Sequence, residues 1–450
     1  MDKTLIKNAK VISMDPTIGV LDDGDILFGG EKILEVATNI AADGADVIDG
    51  SRMIAMPGLV DSHIHTWQTG IRGIAGDWTM GQYLRGMHAN LATGFQPEDI
   101  YLGNLAGALT HLNGGVTTLF DWCHNNPTPD HTDAAIDGLV ESGIRAVFGH
   151  GSPKPDPKEG QKHFSEVPHP KSEVERLRQG RLASDDSLVT LAMCILGPHY
   201  SVYEVTHQDL LLAKEFDLVA SAHMSGGFNR MVPEGIYKMR DDGLLSGKFN
   251  VVHGNDLSDE EIAILIDKGV KFSVTPEVEI QMGFGDPVTG RVMRAGGRPS
   301  VGVDVESNIS GDMFGVLRTT LQIQRMIDNR PFADAHEPIK ELSISAMEAL
   351  EWATINGAEM MGLEEKIGSL TPGKQADITL IRADDLNIHP ANNPVNAVVF
   401  YANASNVDTV FVSGTARKKD GKLLNKDVHT VMERLAHSGE RILANAGAQV

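Results

Sequence analysis

The sequence predicts an α/β protein made of eight βα units in the middle of the chain and a small β-sandwich built from both chain termini. Three observations predict it. From Pro57 to Asp304, apolar strand-like runs alternate with helical patterns, and counting the runs gives eight, the strand number of a TIM barrel. Residues 1–56 and 364–425 are instead rich in short strand-like runs, so one sandwich drawn from both ends is the simplest architecture. Nearly every predicted barrel strand also ends in a histidine or a carboxylate, at the barrel face where such folds keep their active sites.

The elements follow in order. Residues 1–56 hold LIKNAKVISM, GDILFGG and KILEVA, broken by Asp-Gly and Gly-Gly turn signals. The barrel, residues 57–363, opens with PGLVDSHIH. An irregular stretch, residues 66–96, follows; loops this long in compact domains are usually functional or disordered. A helix begins near Pro97 with Ile100, Leu105, Ala108, Leu109 and Leu112 on one face, and Gly114 and Gly115 end it before VTTLFD. Asp133 is the expected N-cap of the next helix, which runs to Gly143 and the strand IRAVFGH. A polar, proline-rich loop at 152–170 precedes a helix over Lys171 to Leu182 and the strand SLVTLAMCIL, which stops at GPHY. Thr206 and Asp209 have capping-box spacing ahead of LVASAH, residues 234–244 form the helix before NVVHG, and Ser258 and Glu261 repeat the box ahead of VKFSVTP. The eighth unit ends in PSVGVD. Beyond it, Ala346 to Met361 make a further helix, ADITLI, NAVVFY and DTVFVSG read as strands, and the terminal segment, 426–450, reads as helical and exposed over residues 426–446.

Composition narrows the function. The chain has 450 residues, 41% of them hydrophobic, enough for a large barrel and a smaller unit. Its formal charge of −22 opposes nucleic acid, whose binding needs Lys and Arg to neutralise phosphates. Two cysteines, Cys123 and Cys194, provide no disulfide framework and fit a reducing compartment. The opening MDKTLIKNAK lacks the apolar core of a signal peptide, and no run of about 18 apolar residues occurs. A cytoplasmic homo-oligomer with a small-molecule substrate, and no membrane or nucleic-acid partner, is expected.

The strand ends supply the chemistry. On a strand, residues i and i+2 share a face, so His63 and His65 present two imidazoles side by side, a large part of a catalytic metal site. A lone His-x-His is as readily a solvated turn, so the pair must be completed from elsewhere. The other ends carry Asp121, His150, His199, His223, His253, Pro276 with Glu277, and Asp304. Each alone could be a core or loop residue, but together they argue for a metal-binding mouth.

With these ends assembled, the chain strongly resembles the amidohydrolase superfamily, in the branch of cytosine-deaminase-like, adenosylhomocysteine-deaminase-like and triazine-hydrolase-like enzymes. The motifs are PGLVDSHIH, GPH, the single His223, VVHG, GVD, and ATINGAEMMGLEEKIGSLTPGKQADITLI. The resemblance implies a distorted (β/α)8 barrel and a metal held by His63, His65, His223 and Asp304, with His253 beside the activated water or the substrate's developing charge. No lysine ends the fourth strand, where two-metal members place one, so one divalent ion is expected, zinc first and iron second.

Such an ion lowers the pKa of bound water to about 7. Asp304 is then placed to take the water's proton and return it to the leaving group, and His253 to stabilise charge as it develops. The expected reaction is hydrolysis of a carbon–nitrogen bond, not a peptide bond, in a small cyclic amide, amidine or aminated heterocycle. The alternatives are displacement of halide or another group from a heteroaromatic ring, and a non-catalytic binding protein on the same barrel. Trp67 and Gln68, just after the metal pair, are candidates for touching a flat ring, and His199 for touching substrate. Two departures stand out. Deaminases of this branch carry a glutamate three residues after the fifth-strand histidine, where this chain has Gly226; and TPEVE replaces the usual Pro-x-Ser-Asn after the seventh strand. Glu277 is therefore a candidate relocated general acid, with Glu279 on the same face if the strand continues.

Overall fold

The computed structural model describes residues 3–41, 43–224, 230–425 and 427–446. Eight parallel strands form one sheet in sequence order: Leu59–Ile64, Val116–Cys123, Arg145–Gly151, Val189–Ile195, Ala220–Met224, Phe249–His253, Lys271–Val274 and Pro299–Val301. Their residues are buried almost without exception, as strands covered on both faces require. Closure comes just past the eighth strand, where the His65 amide donates to the Asp304 carbonyl and the Asp304 amide to the His63 carbonyl, both at 2.8 Å. Only glycine permits this approach at position 302, because a Cβ there would lie 2.5 Å from the His63 carbonyl oxygen and 2.6 Å from its amide nitrogen.

Asp61 secures the same seam from below. One carboxylate oxygen accepts from the amides of His63 at 3.0 Å and Val303 at 3.2 Å, and the other meets His111 Nε2 at 2.8 Å. His111 Nδ1 donates to the Gly107 carbonyl at 2.8 Å, so both ring nitrogens face acceptors and the buried ring holds two protons. Burial opposes that charge, but the hydrogen bond to Asp61 and the fields of Asp61 and Glu306 raise the His111 pKa above 6.5. The resulting stabilisation is fully present below the unfolded value and is lost as pH rises through the folded one. The thermal midpoint should fall as pH is raised above about 6.5, and His111→Gln should flatten that decline; an unchanged slope in the variant would deny the pair this role.

The strands at the two chain ends form one nine-stranded mixed sheet, joined where Met53–Pro57 pairs antiparallel with Ile378–Arg382. It curls into two layers: Lys32 bridges to Gln375, and the Phe28 and Phe411 rings meet edge-on at 5.1 Å over a core that includes Ile6, Val11, Ile26 and Ile378.

Several elements differ from the sequence reading. NAVVFY is not a strand: Asn393 caps the amide of Asn396, Pro394 takes the first turn, and Pro394–Tyr401 is a helix, which a short apolar run cannot distinguish by periodicity. Thr206 and Asp209 lie inside the helix Tyr203–Glu215, and Asp209 accepts instead from the His169 amide at 2.8 Å. The helix before Gly143 starts at Pro129 behind Thr128, not at Asp133. The terminal helix, Val428–Ala446, is not simply exposed: Val431, Leu435, Ser438 and Ile442 are buried, Ser438 donates to Asp99 at 2.5 Å, and Arg441 pairs with Asp99. Among the described residues, no helix is long and apolar enough to cross a membrane.

Candidate metal centre and active site

At the C-terminal ends of the barrel strands, His63, His223, His253 and Asp304 each offer one ligand atom, all within 4.8 Å of one another. His65 faces the same point. Its Nδ1 donates to the Trp122 carbonyl at 2.6 Å, which leaves the Nε2 lone pair directed inward, 3.5 Å from Asp304 Oδ1. His63 Nε2 lies 3.2 Å from that same oxygen, and the His65 and His223 rings stack at 5.2 Å. Five side chains thus converge, one more than the four expected ligands, with His253 in reach of the same centre.

This donor set fits a divalent ion of the zinc or iron kind, which takes neutral imidazoles and a carboxylate. Burial holds the imidazoles neutral: it lowers the pKa of His63, takes that of His65 down to about 3 with help from His63, and takes that of His223 well below the usual value. Burial acts the other way on Asp304, but the hydrogen bond from His63, first among the contacts with the surrounding imidazoles, outweighs it and lowers the carboxyl pKa. Two of the convergent residues sit in strained backbone, His253 at φ 67° and Asp304 at φ 71°, a left-handed conformation that such side chains adopt only where the surroundings enforce it.

Behind His253 stands a carboxylate, and it is not Glu277. After the seventh strand the chain turns at Thr275 into the helix Pro276–Met282. Residues two apart on a helix point about 200° apart, not to one face as on a strand. Glu279 therefore turns inward: it is fully buried, accepts from the Thr275 amide at 2.8 Å, and meets His253 Nδ1 at 3.3 Å and Asn255 Nδ2 at 3.1 Å. Thr275 Oγ1 bridges His253 Nδ1, at 3.0 Å, to Asp304 Oδ2, at 3.4 Å. Glu277 is half-buried and outside the cavity wall; burial and the nearby charge of Asp312 raise its pKa.

The convergent groups open onto a narrow cavity whose empty space, its open mouth included, is about 410 Å³. Its apolar wall includes Met80, Leu84, Met282 and Phe284, the last edge-on to His253 at 5.1 Å. Its polar wall includes Tyr83, His88, His124, Lys154 and Tyr200. The 66–96 stretch contributes here because it folds into short helical turns, among them Thr66–Ile71 and Met80–Tyr83.

The expected substrate contacts Trp67, Gln68 and His199 do not line this cavity but stand behind its wall. The Trp67 indole donates to His124 Nδ1 at 3.1 Å, Gln68 donates to the Tyr83 hydroxyl at 2.6 Å, and His199 Nε2 faces Asp256 at 3.3 Å. Asp121 is buried against Thr66 and Asn104, and burial pushes its carboxyl up to about 7. His150 pairs with His169 at 2.9 Å. Gly226, where the deaminase glutamate is missing, lies outside the described residues. Sequence reasoning missed Tyr83, His88 and Lys154, which sit in segments with no readable periodicity.

A buried imidazole and carboxylate cluster at the C-terminal mouth of a parallel eight-stranded barrel defines a metal-dependent hydrolase. The amidohydrolase family model matches residues 54–417, and the chain belongs to that family of hydrolases acting on carbon–nitrogen bonds. It is 26% identical over 467 residues to the 5'-deoxyadenosine deaminase of Methanosarcina acetivorans, covering 100% of both chains. It is 26% identical to the 5-methylthioadenosine/S-adenosylhomocysteine deaminase of Carboxydothermus hydrogenoformans, covering 98% of each. Among solved structures, the zinc complex of atrazine chlorohydrolase from Arthrobacter aurescens superposes with a TM-score of 0.85 at 24% identity, covering 97% of this chain and all of the other. The zinc-bound adenosine deaminase of Xanthomonas campestris gives 0.82 at 21% identity over 98% and 99% of the two chains.

Proposed function

We propose that the protein hydrolyses a carbon–nitrogen bond of a small nitrogen heterocycle, an aminated ring in the first place and a cyclic amide or amidine in the second. The observation that carries this reading is the convergence of His63, His65 and His253 on the Asp304 carboxylate inside a cavity with one apolar and one polar wall. One zinc ion held by His63, His65, His223 and Asp304 would supply a water activated for attack at neutral pH. Asp304, ionised at that pH, accepts the proton of the attacking water and delivers it to the departing nitrogen. His253, oriented through Nδ1 by Glu279 and Thr275, presents Nε2 to the charge that develops on the ring, 3.9 Å from Asp304 Oδ2. The apolar side chains exclude bulk water and give a flat ring its faces. In this reading the enzyme works in the cytoplasm, which two buried free cysteines support. It also assembles with copies of itself, for which the exposed Met326, Phe332, Ile339 and Leu342 offer apolar surface.

The test is ammonia release from a panel of aminated heterocycles and cyclic amides, with chlorinated rings included. Release of chloride without any release of ammonia would replace this reading with ring dehalogenation. Elemental analysis separates an enzyme from a metal-free binding protein: about one zinc or iron per chain is expected, and His63→Ala should remove most of it. Metal-supplemented protein that holds none, or a variant with unchanged occupancy, would overturn the ligand assignment.

A further inference from the structure

Lys154 brings a positive charge into the cavity that none of the residues described so far balances. It lies in the proline-rich loop after the third strand, and its ammonium sits over the rings of Tyr200 at 4.9 Å and Trp122 at 5.6 Å. Among the described residues no carboxylate pairs with it and no hydrogen bond engages it. The cavity's own carboxylate, Asp304, is already engaged by His63, His65 and Thr275. Lys154 lines the cavity beside His65, His88, His124 and His223. Burial in turn pulls the Lys154 pKa down to about 8.

Lys154 is half-buried, and the aromatic faces over which its ammonium lies return only part of the hydration it gives up. Among the described residues none supplies a counter-charge, so an anionic group on the ligand fits the polar wall, and the position of Lys154 indicates where on the ligand it lies. Lys154, His88 and His124 form a wall shared between the catalytic cavity and a wider outer cavity that also meets Asn125, Asp156, Lys158 and Gln161, and no ion pair joins Asp156 to Lys154 among the described residues. A ring seated at the metal ligands would direct its far substituent at this wall. A lone lysine is a compact point charge rather than a fork for a dianion, which suits a singly charged group.

We propose that the substrate is a nitrogen heterocycle bearing a carboxylate, and that Lys154 receives this carboxylate at the wall the catalytic cavity shares with the outer one. The ring rests on the hydrolase reading above; the carboxylate rests on Lys154 alone. Lys154 is then a specificity-determining residue.

Calorimetry on the metal-loaded protein with 6-aminonicotinate and its uncharged counterpart 6-aminonicotinamide tests this without requiring turnover. The acid should bind at least about tenfold more tightly than the amide, the usual worth of a charge-assisted hydrogen bond. Lys154→Met should abolish the preference and Lys154→Arg should keep it. Equal binding of the two probes to the unaltered protein would overturn the proposal. So would a preference that survives Lys154→Met, since the carboxylate would then lie on another group. If Lys154→Met instead left the binding preference intact and stopped ammonia release from charged and uncharged rings alike, the lysine would be a proton donor and the proposal would fail. A preference that depends on Lys154, with no ammonia from any ring, would support the carboxylate site and sink the hydrolase reading.

Discussion

Asp304→Asn should reduce kcat by about a thousandfold or more, the upper range for removal of a general acid–base group, while most of the metal is retained. The carboxylate stands at the junction of the site. One oxygen meets His63 and His65, the other faces His253 and Thr275, and its low pKa keeps it ionised at neutral pH. The amide of asparagine has nearly the same shape and still offers an oxygen to an ion, but it cannot take up a proton. The loss should therefore fall on kcat and kcat/KM together, as expected for an interaction made in the transition state, with KM little changed. Elemental analysis of the same preparation is the necessary companion. Substantial turnover in a metal-replete variant would remove Asp304 from proton transfer, and parallel loss of metal and activity would reduce it to a ligand.

How much of this was legible depended on whether local periodicity survived into the fold. His63 and His65 were readable because a buried strand imposes a period of two, and the turn from apolar strand to polar end marks where the barrel opens. The strand ends put His223, His253 and Asp304 among the candidates together with Asp121, His150 and His199, and the family resemblance singled them out. Trp67 and Gln68 were misplaced because the chain leaves the strand at His65 and winds into a tight helical turn, which tucks both beneath the wall they were expected to form. Tyr83 and His88 come from short turns with no repeating pattern, and Lys154 from a loop whose prolines signal only irregular backbone. NAVVFY failed for a different reason: so short an apolar run does not separate a buried helix from a strand, and only the Asn393–Pro394 start marked the difference.

Glu279→Gln should lower the maximal rate by about a hundredfold with metal content unchanged, whereas Glu277→Gln should alter it by less than about threefold, as for a substitution away from the site. The contrast follows from the helix that begins at Pro276. On a continuing strand the two glutamates would share a face; on the helix only Glu279 turns toward the barrel axis, where it meets His253 Nδ1 and the Thr275 amide. A carboxylate can only accept, so it holds the proton of His253 on Nδ1 and keeps Nε2 directed into the cavity. Glutamine can present its NH2 group instead, which allows the ring to reverse its tautomer or rotate, the kind of loss known when an orienting carboxylate is replaced by an amide. Glu279 would then act as a positioning residue, and its signature is a fall in kcat with KM and metal preserved and with partial recovery in Glu279→Asp. If Glu277→Gln were the damaging change, the general acid would lie on the outer face of this helix and the cavity would have to rearrange for turnover. If neither variant lost activity, His253 would be held by Thr275 alone and the buried glutamate would serve the fold by capping the amide at the helix start.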